Sequence, residues 1–210
     1  MPIALPQLRI VGVSAKVSYL PSTKFNLREI ANKIKTEFSS SIAEKSKKTH
    51  KKGRVQIKFQ SPTPATVHVF RSCQFLIMHA KSEDDVKQIA SQMDMFLAKT
   101  MSFSPNAYTL QIFNITGTCD LGLEKLLIGN IFSEARNLGS HILPVYEPEV
   151  FPGLVWKRRF DGASHLICVG ITAFSSGKLT LTGSSDIGKL QFALREFCEF
   201  ADAVGAGITS

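Results

Sequence analysis

Apolar positions along this chain recur with two periods, one near two residues and one near three and a half. The two periods alternate in the same order in both halves. The segment AFSSGKLTLTGSSDIGKLQFALREF runs from Ala173 to Phe197, and VFRSCQFLIMHAKSEDDVKQIASQM runs from Val69 to Met93. A shift of 104 residues lays Phe70 on Phe174. After each Phe the apolar residues alternate, Phe75 and Ile77 against Leu179 and Leu181, which is the period of a strand with one buried face. A polar cluster follows, Ser82-Glu83-Asp84-Asp85 against Ser184-Ser185-Asp186. Its oxygens suit the start of a helix, where the first backbone N–H groups lack partners. The helical stripes come next. One is Val86, Ile89, Ala90, Met93, Phe96 and Leu97; the other is Leu190, Ala193, Leu194, Phe197, Phe200 and Ala201.

The same shift aligns Leu8-Arg9-Ile10-Val11 with Ile112-Phe113-Asn114-Ile115, each the start of a strand. A second stripe follows in each half: Leu27, Ile30, Ala31, Ile34 and Phe38 in the first, Leu123, Leu126, Leu127 and Ile131 in the second. Each half therefore predicts strand, helix, several antiparallel strands and a long helix. The join falls at Met101 to Ala107, where Ser, Pro and Asn gather, giving repeats over 1–104 and 105–210. Strands grouped between helices predict an α+β fold with the helices on one sheet face only. Two such halves side by side would make one long curved sheet, whose other face is left to bind something.

Composition narrows this picture only modestly. The 210 residues are 44% hydrophobic and 20% charged, an ordinary globular balance. The charge of +8 favours an anionic partner, nucleic acid or a membrane surface, without choosing between them. No apolar run is long enough to span a membrane, and the N-terminus lacks the basic region of a signal peptide. Cys73, Cys119, Cys168 and Cys198 show neither metal-ligand spacing nor the density of a disulfide scaffold, so they read as small buried hydrophobes in a reducing compartment. His50, His68, His79, His141 and His165 lack ligand spacing too. No phosphate loop, nucleophile elbow or paired motif carboxylates emerge. The expectation is a protein without enzymatic activity, cofactor or metal.

Three motifs identify a family. YEPEVFPGLVWK (Tyr146 to Lys157), NITGTCDLGL (Asn114 to Leu123) and AFSSGKLTLTG (Ala173 to Gly183) resemble the second repeat of TATA-box-binding proteins, in that family's order and spacing. PQL at Pro6 to Leu8 and AKSED at Ala80 to Asp84 extend the resemblance over essentially the whole chain. It implies two pseudo-symmetric repeats forming a saddle, a continuous curved antiparallel sheet with helices on the convex face. It also implies a nuclear transcription initiation factor whose concave face lies on the minor groove of A·T-rich promoter DNA. Phenylalanines of the family wedge between base steps and bend the duplex. By the resemblance Phe151 and Phe174 are a wedge pair, and Asn114 is the asparagine that meets minor-groove acceptors. Thr116, Thr180 and Thr182 then lie on the concave face, while Lys157 and Lys178 contact phosphate.

The first half departs from the family. Phe70 keeps one wedge position, but its partner falls on Gly53 or Lys52, and the central asparagine is replaced by Ile10. Ser72-Cys73-Gln74 stands for the family's Ser-Gly-Lys turn, Met78 and His68 replace other groove-facing residues, and Lys81 remains a phosphate candidate. Asymmetric bending is the expectation. The basic run Lys45 to Arg54 reads as a solvated loop, a phosphate-gripping stirrup or a nuclear localisation signal, and its position favours DNA or the flanking partner surface. Glu147, Glu149 and Val150 match the surface that receives a transcription factor IIB-like protein, with a transcription factor IIA-like protein as a further partner. The stretch from Phe160 to Ser164 is longer than the family's turn. The alternative function is a related factor that works mainly as a protein-interaction platform at promoters, with weak or non-TATA DNA binding. An enzyme using the repeats as an accessory domain would need a catalytic domain, and the repeats take up this chain.

Overall fold

A computed structural model describes residues 3–19, 24–37, 53–101, 108–160 and 167–208. Phe38, most of the basic run (45–52), most of the join (102–107) and the stretch 161–166 lie outside the described residues. The chain forms two compact units, one of Val11–Phe113 and one of Met1–Ile10 with Asn114–Ser210.

The first unit is built from β1 (Arg9–Tyr19), α1 (Leu27–Glu37), β2 (Arg54–Phe59), β3 (Ala65–Phe70), β4 (Gln74–Ala80) and α2 (Glu83–Met101). Its antiparallel strands run in the order β2-β3-β4-β1. Alternation decides the faces: Val13, Ala15 and Val17 of β1, Val67 and Val69 of β3, and Phe75 and Ile77 of β4 are buried. The helices cover that face with Ile30 and Ile34 from α1 and with Ile89, Met93 and Leu97 from α2. Each such side chain taken fully out of water contributes about 1.5–3 kcal/mol. Both helices start on a side-chain oxygen. Asn26 Oδ1 accepts the Glu29 N–H at 3.3 Å, and Ser82 Oγ accepts the Asp85 N–H at 3.1 Å.

One buried polar pair interrupts this core. The Tyr19 hydroxyl donates to Asp94 Oδ1 at 2.9 Å, and the Tyr19 ring packs edge-on against Phe25 and Tyr108. Burial pushes the Asp94 carboxyl above its ordinary range, and the Tyr19 hydroxyl partly offsets this by donating to the charged form. A carboxyl with a raised folded pKa favours the fold at acid pH, and that contribution is lost as pH rises through the raised value. Tyr19→Phe is expected to cost about 2 kcal/mol at neutral pH, because the charged carboxylate loses its donor in a buried place. The loss should shrink at acid pH, where Asp94 is neutral. Urea unfolding at the two pH values checks this, and an equal loss at both would contradict it.

The second unit takes the part of β5 (Tyr108–Asp120) from Asn114 onward, then β6 (Lys125–Leu126), α3 (Ile128–Ala135), β7 (Ile142–Val145), β8 (Leu154–Phe160), β9 (Ile167–Ala173), β10 (Lys178–Ser184), α4 (Ile187–Ala203) and β11 (Gly207–Ile208). Its main sheet runs β5-β10-β9-β8-β7, all antiparallel. Leu154, Trp156, Val169, Ile171, Leu179 and Leu181 face α4, which presents Leu190, Ala193, Leu194 and Phe197. Trp156, the only tryptophan of the chain, is fully buried and stacks edge-on to Phe197 at 5.4 Å. The predicted cap holds here too, with Asp186 Oδ1 accepting the Gly188 N–H at 2.8 Å. Each unit is thus α+β, with an antiparallel sheet carrying helices on one face.

Two expectations need correction. The stripe Leu123, Leu126, Leu127 and Ile131 is not one helix, since α3 begins at Ile128. The N–H groups of Leu126 and Leu127 go instead to Ser175 and Ala206 carbonyls, and β6 pairs with β11. Tertiary pairing overrides a helical period that four residues happen to satisfy. The alignment of Ile10 with Asn114 fails as well. Val13 pairs with Ala80 as Ile115 pairs with Ser184, and Ala15 pairs with Ile77 as Gly117 pairs with Leu181. In these strands the equivalence is a shift of 102, so the place of Asn114 is taken by Gly12.

Among the described residues no helix is long and apolar enough to cross a membrane. No group of three or more His, Cys, Asp or Glu among them could hold a metal ion. Burial pushes the Cys119 thiol up to about 11 and the Cys198 thiol up to about 12, so both remain protonated and inert.

Candidate functional site

In the second unit the sheet face away from α4 is lined by the residues between the buried positions. Thr118 of β5, Thr180 of β10, Thr172 of β9 and Val155 of β8 lie directly opposite one another in a row across four strands. The neighbouring row holds Thr182, Gly170 and Lys157, with Asn114 and Thr116 on the β5 side. The family resemblance points to Asn114, Thr116, Thr180, Thr182 and Lys157, and the structure brings them onto this one face. Thr118 and Thr172 belong with them and were not singled out. Their signal was present, since each stands two residues from a chosen one, Thr116 and Phe174. This surface of short hydroxyls carries no acidic side chain on these two rows.

A β-bulge orients Asn114. Between Leu181 and Ser184 the pairing with β5 slips by one residue. Gly183 in this bulge has φ +104°, and a Cβ there would lie 2.2 Å from the Cys168 carbonyl oxygen. Only glycine fits. The freed Gly183 N–H donates to Asn114 Oδ1 at 2.9 Å, and the Thr182 hydroxyl donates to the same oxygen at 3.1 Å. A backbone N–H can only donate, so the amide orientation follows from the chemistry. The Asn114 NH₂ group lies on the other side and donates to Thr116 Oγ1 at 3.4 Å.

At one end of the face stand the two phenylalanines. Phe151 and Phe174 meet edge-to-face with centroids 5.8 Å apart, and Phe151 is 42% exposed. Phe174 is fixed by the turn to Lys178, in which its N–H donates to the Lys178 carbonyl and its own carbonyl accepts from Gly177. Phe151 leaves a turn in which the Val150 and Phe151 N–H groups both donate to the Glu147 carbonyl at 2.9 Å. Its ring lies on bare backbone, since a Cβ on Gly153 would be 2.6 Å from it. An open cleft of about 750 Å³ runs beside Phe174, lined among others by Arg9, Thr118, Lys178 and Thr180. Lys178 and Lys157 are both exposed, Lys178 opposite Asp120 and Lys157 opposite Gly170. Glu147, Glu149 and Val150 form the outward side of the turn, with Val150 79% exposed.

The first unit repeats the backbone with different side chains. The bulge recurs between Ile77 and Ala80, and His79 there has φ +64°. The turn after Phe70 also recurs, with Cys73 at φ +57° where Gly177 stands in the second unit. The outward face carries Lys16, Leu76, His68 and Gln56 in one row and Met78, Thr66 and Lys58 in the next. Burial, then the nearby Arg54 charge, lower the His68 pKa, so the imidazole is neutral on this face. Phe70 lies at its end, opposite Arg54. Lys81 is exposed beyond the other end of β4, so the structure does not bring it together with Phe70.

Comparison with known proteins gives a consistent answer. Residues 109–200 match the family described as transcription factor TFIID (or TATA-binding protein, TBP). TATA-box-binding protein 2 of Haloferax volcanii is 32% identical over 146 residues, covering 70% of this chain and 72% of that protein. The TATA-box-binding proteins of Emericella nidulans and Saccharomyces cerevisiae are each 34% identical over 119 residues, 57% of this chain. Those matches span 40% and 44% of the two relatives' own length. In fold, the chain resembles Methanococcus jannaschii TBP with a TM-score of 0.67 at 22% identity, covering 94% of this chain and 99% of that one.

Proposed function

The chain belongs to the TATA-box-binding protein family, and from that premise we propose that it is a transcription initiation factor that binds A·T-rich duplex DNA in the minor groove, bends it asymmetrically and nucleates assembly of the initiation complex. The observation that carries this reading is the orientation of Asn114. Its oxygen is occupied by the Gly183 N–H and the Thr182 hydroxyl and its NH₂ donates to Thr116 Oγ1, which leaves the second amide hydrogen as a donor for a ligand. In the minor groove, A·T pairs present only the acceptors adenine N3 and thymine O2, whereas G·C adds the guanine amino donor. An outward amide donor on a face of threonines suits the first pattern and clashes with the second.

The exposed Phe151 ring and the half-buried Phe174 ring beside it are suited to enter a base step, and the duplex then bends away from the wedge. The first unit offers one ring and has glycine where the second has its asparagine, so its share of the kink and of A·T selection is smaller. The turn carrying Glu147, Glu149 and Val150 is proposed to receive a transcription factor IIB-like protein.

Asn114→Ala tests the reading. Affinity for an A·T-rich duplex should fall by about 1–3 kcal/mol, roughly 5- to 150-fold, while affinity for a G·C-rich duplex changes little. Gel-shift titrations at fixed salt measure both. Equal losses on the two duplexes, or no preference in the unaltered protein, would refute the readout. A duplex affinity too weak to saturate would instead favour the related factor that works mainly through proteins.

A further inference from the structure

The second unit ends its outward face with two rings, whereas the first unit ends with one ring and a guanidinium. Val55 pairs with Val69 as Leu154 pairs with Ala173, and Phe70 and Phe174 follow directly. By this register Arg54 occupies the place of Gly153, and the place of Phe151 falls on Lys52, outside the described residues. Gly153 is bare because Phe151 lies across it. A Cβ there would be 2.6 Å from the ring and 3.1 Å from Thr172 Cγ2. A side chain at this position and a ring resting on it exclude each other. The first unit has the side chain.

Arg54 thus takes the shelf beside Phe70, its direct cross-strand partner. Alternation along β2, where Val55, Ile57 and Phe59 are buried, sets Arg54 on the outward side that Phe70 and His68 share, and its charge adds to the burial that depresses the His68 pKa. Lys16 and Lys58 lie on the same face, and no carboxylate occupies an outward position of β1 to β4. Gly53, next to Arg54, lines an open cleft of about 510 Å³ with Lys24, Arg28 and Arg71, so the positive charge continues around this end. A guanidinium in uncompensated positive surroundings needs an anion, and its planar fork matches phosphate oxygens in pairs.

We propose that Arg54 contacts a backbone phosphate of the duplex, so that the first unit holds by charge the end that the second unit holds by wedging. The inference rests on the DNA-binding reading above. A phosphate contact carries no base information, so its loss weakens every duplex alike and reduces the number of released counterions. Arg54→Gln should lower affinity for A·T-rich and G·C-rich duplexes by the same factor. It should also flatten the slope of log affinity against log salt by about 0.9, so that its deficit narrows about 3.5-fold between roughly 50 and 200 mM salt. Arg54→Lys should keep the slope. Phe151→Ala with Phe174→Ala serves as the parallel test of DNA binding itself. An unchanged slope in Arg54→Gln, beside lost binding in the double variant, overturns the phosphate contact and leaves the DNA reading standing. A loss confined to A·T-rich duplex also overturns it, by placing the guanidinium on base edges. If the unaltered protein binds neither duplex, both readings fall.

Discussion

Joint replacement of Phe151 and Phe174 by alanine is expected to lower affinity for an A·T-rich duplex by at least about 3 kcal/mol, more than 100-fold, and to remove most of the bend. The rings meet edge-to-face with centroids 5.8 Å apart and stand at one end of the outward sheet face, Phe151 on the bare backbone of Gly153. Opening a step costs a few kcal/mol, and the bent duplex returns this through wider contact with the threonine rows. Without the rings that exchange does not occur, and the sheet meets a straighter, narrower groove. Phe70→Ala should have a smaller effect, because a single ring beside Arg54 makes a shallower wedge. Fluorescence energy transfer between duplex ends, with affinities at constant salt, measures both quantities. A double variant that bends the duplex like the unaltered protein would remove the wedge from the mechanism.

The largest loss of stability is expected from Gly183→Ala. At φ +104° an L-residue is strained by about 1–3 kcal/mol. The new Cβ would also collide at 2.2 Å with the Cys168 carbonyl, a backbone atom that can move only with strand β9. The sum is about 3–5 kcal/mol, a large fraction of what a small unit possesses. The counterpart His79 shows why side chain and backbone must be weighed together. Its φ of +64° lies in the left-handed region that histidine visits, and its side chain is exposed. Trp156 lies in the same unit as Gly183, so urea unfolding followed by tryptophan emission reads the effect directly. A midpoint within experimental error of the unaltered protein would show that β9 accommodates the methyl group.

The fold was legible where one physical signal dominated. The α2 and α4 stripes, their Ser82 and Asp186 caps, and the alternation at Phe75–Ile77 and Leu179–Leu181 all follow from periodicity, because each helix buries one face and each strand alternates. The stripe Leu123, Leu126, Leu127 and Ile131 misled because it satisfied a helical period while the Leu126 and Leu127 N–H groups were claimed by distant carbonyls. The central asparagine's counterpart was misplaced because a constant offset of 104 cannot follow β1 and β5, whose pairings differ by two residues from it. Much of the site was readable through the family motifs. The role of Gly183 in aiming Asn114 was not, since a bulge is a property of two paired strands and not of one. The basic run ending at Arg54 admitted a phosphate-gripping reading without distinguishing one residue from another, and only the pairing with Phe70 gives Arg54 its place on the face.

The two bulges also have a consequence for how this sequence can vary. Ile77 and Ala80 are both buried although three residues apart, and so are Leu181 and Ser184. In an unbroken strand, residues three apart point to opposite faces. Each bulge therefore works as a compensated frameshift, restoring the inward phase after one extra residue. Substitutions on the outward side leave that phase untouched, so the outward residues of the first unit can change while its core is kept. A one-residue deletion in either bulge would have the reverse effect, preserving almost every side chain while turning the end of the strand inside out.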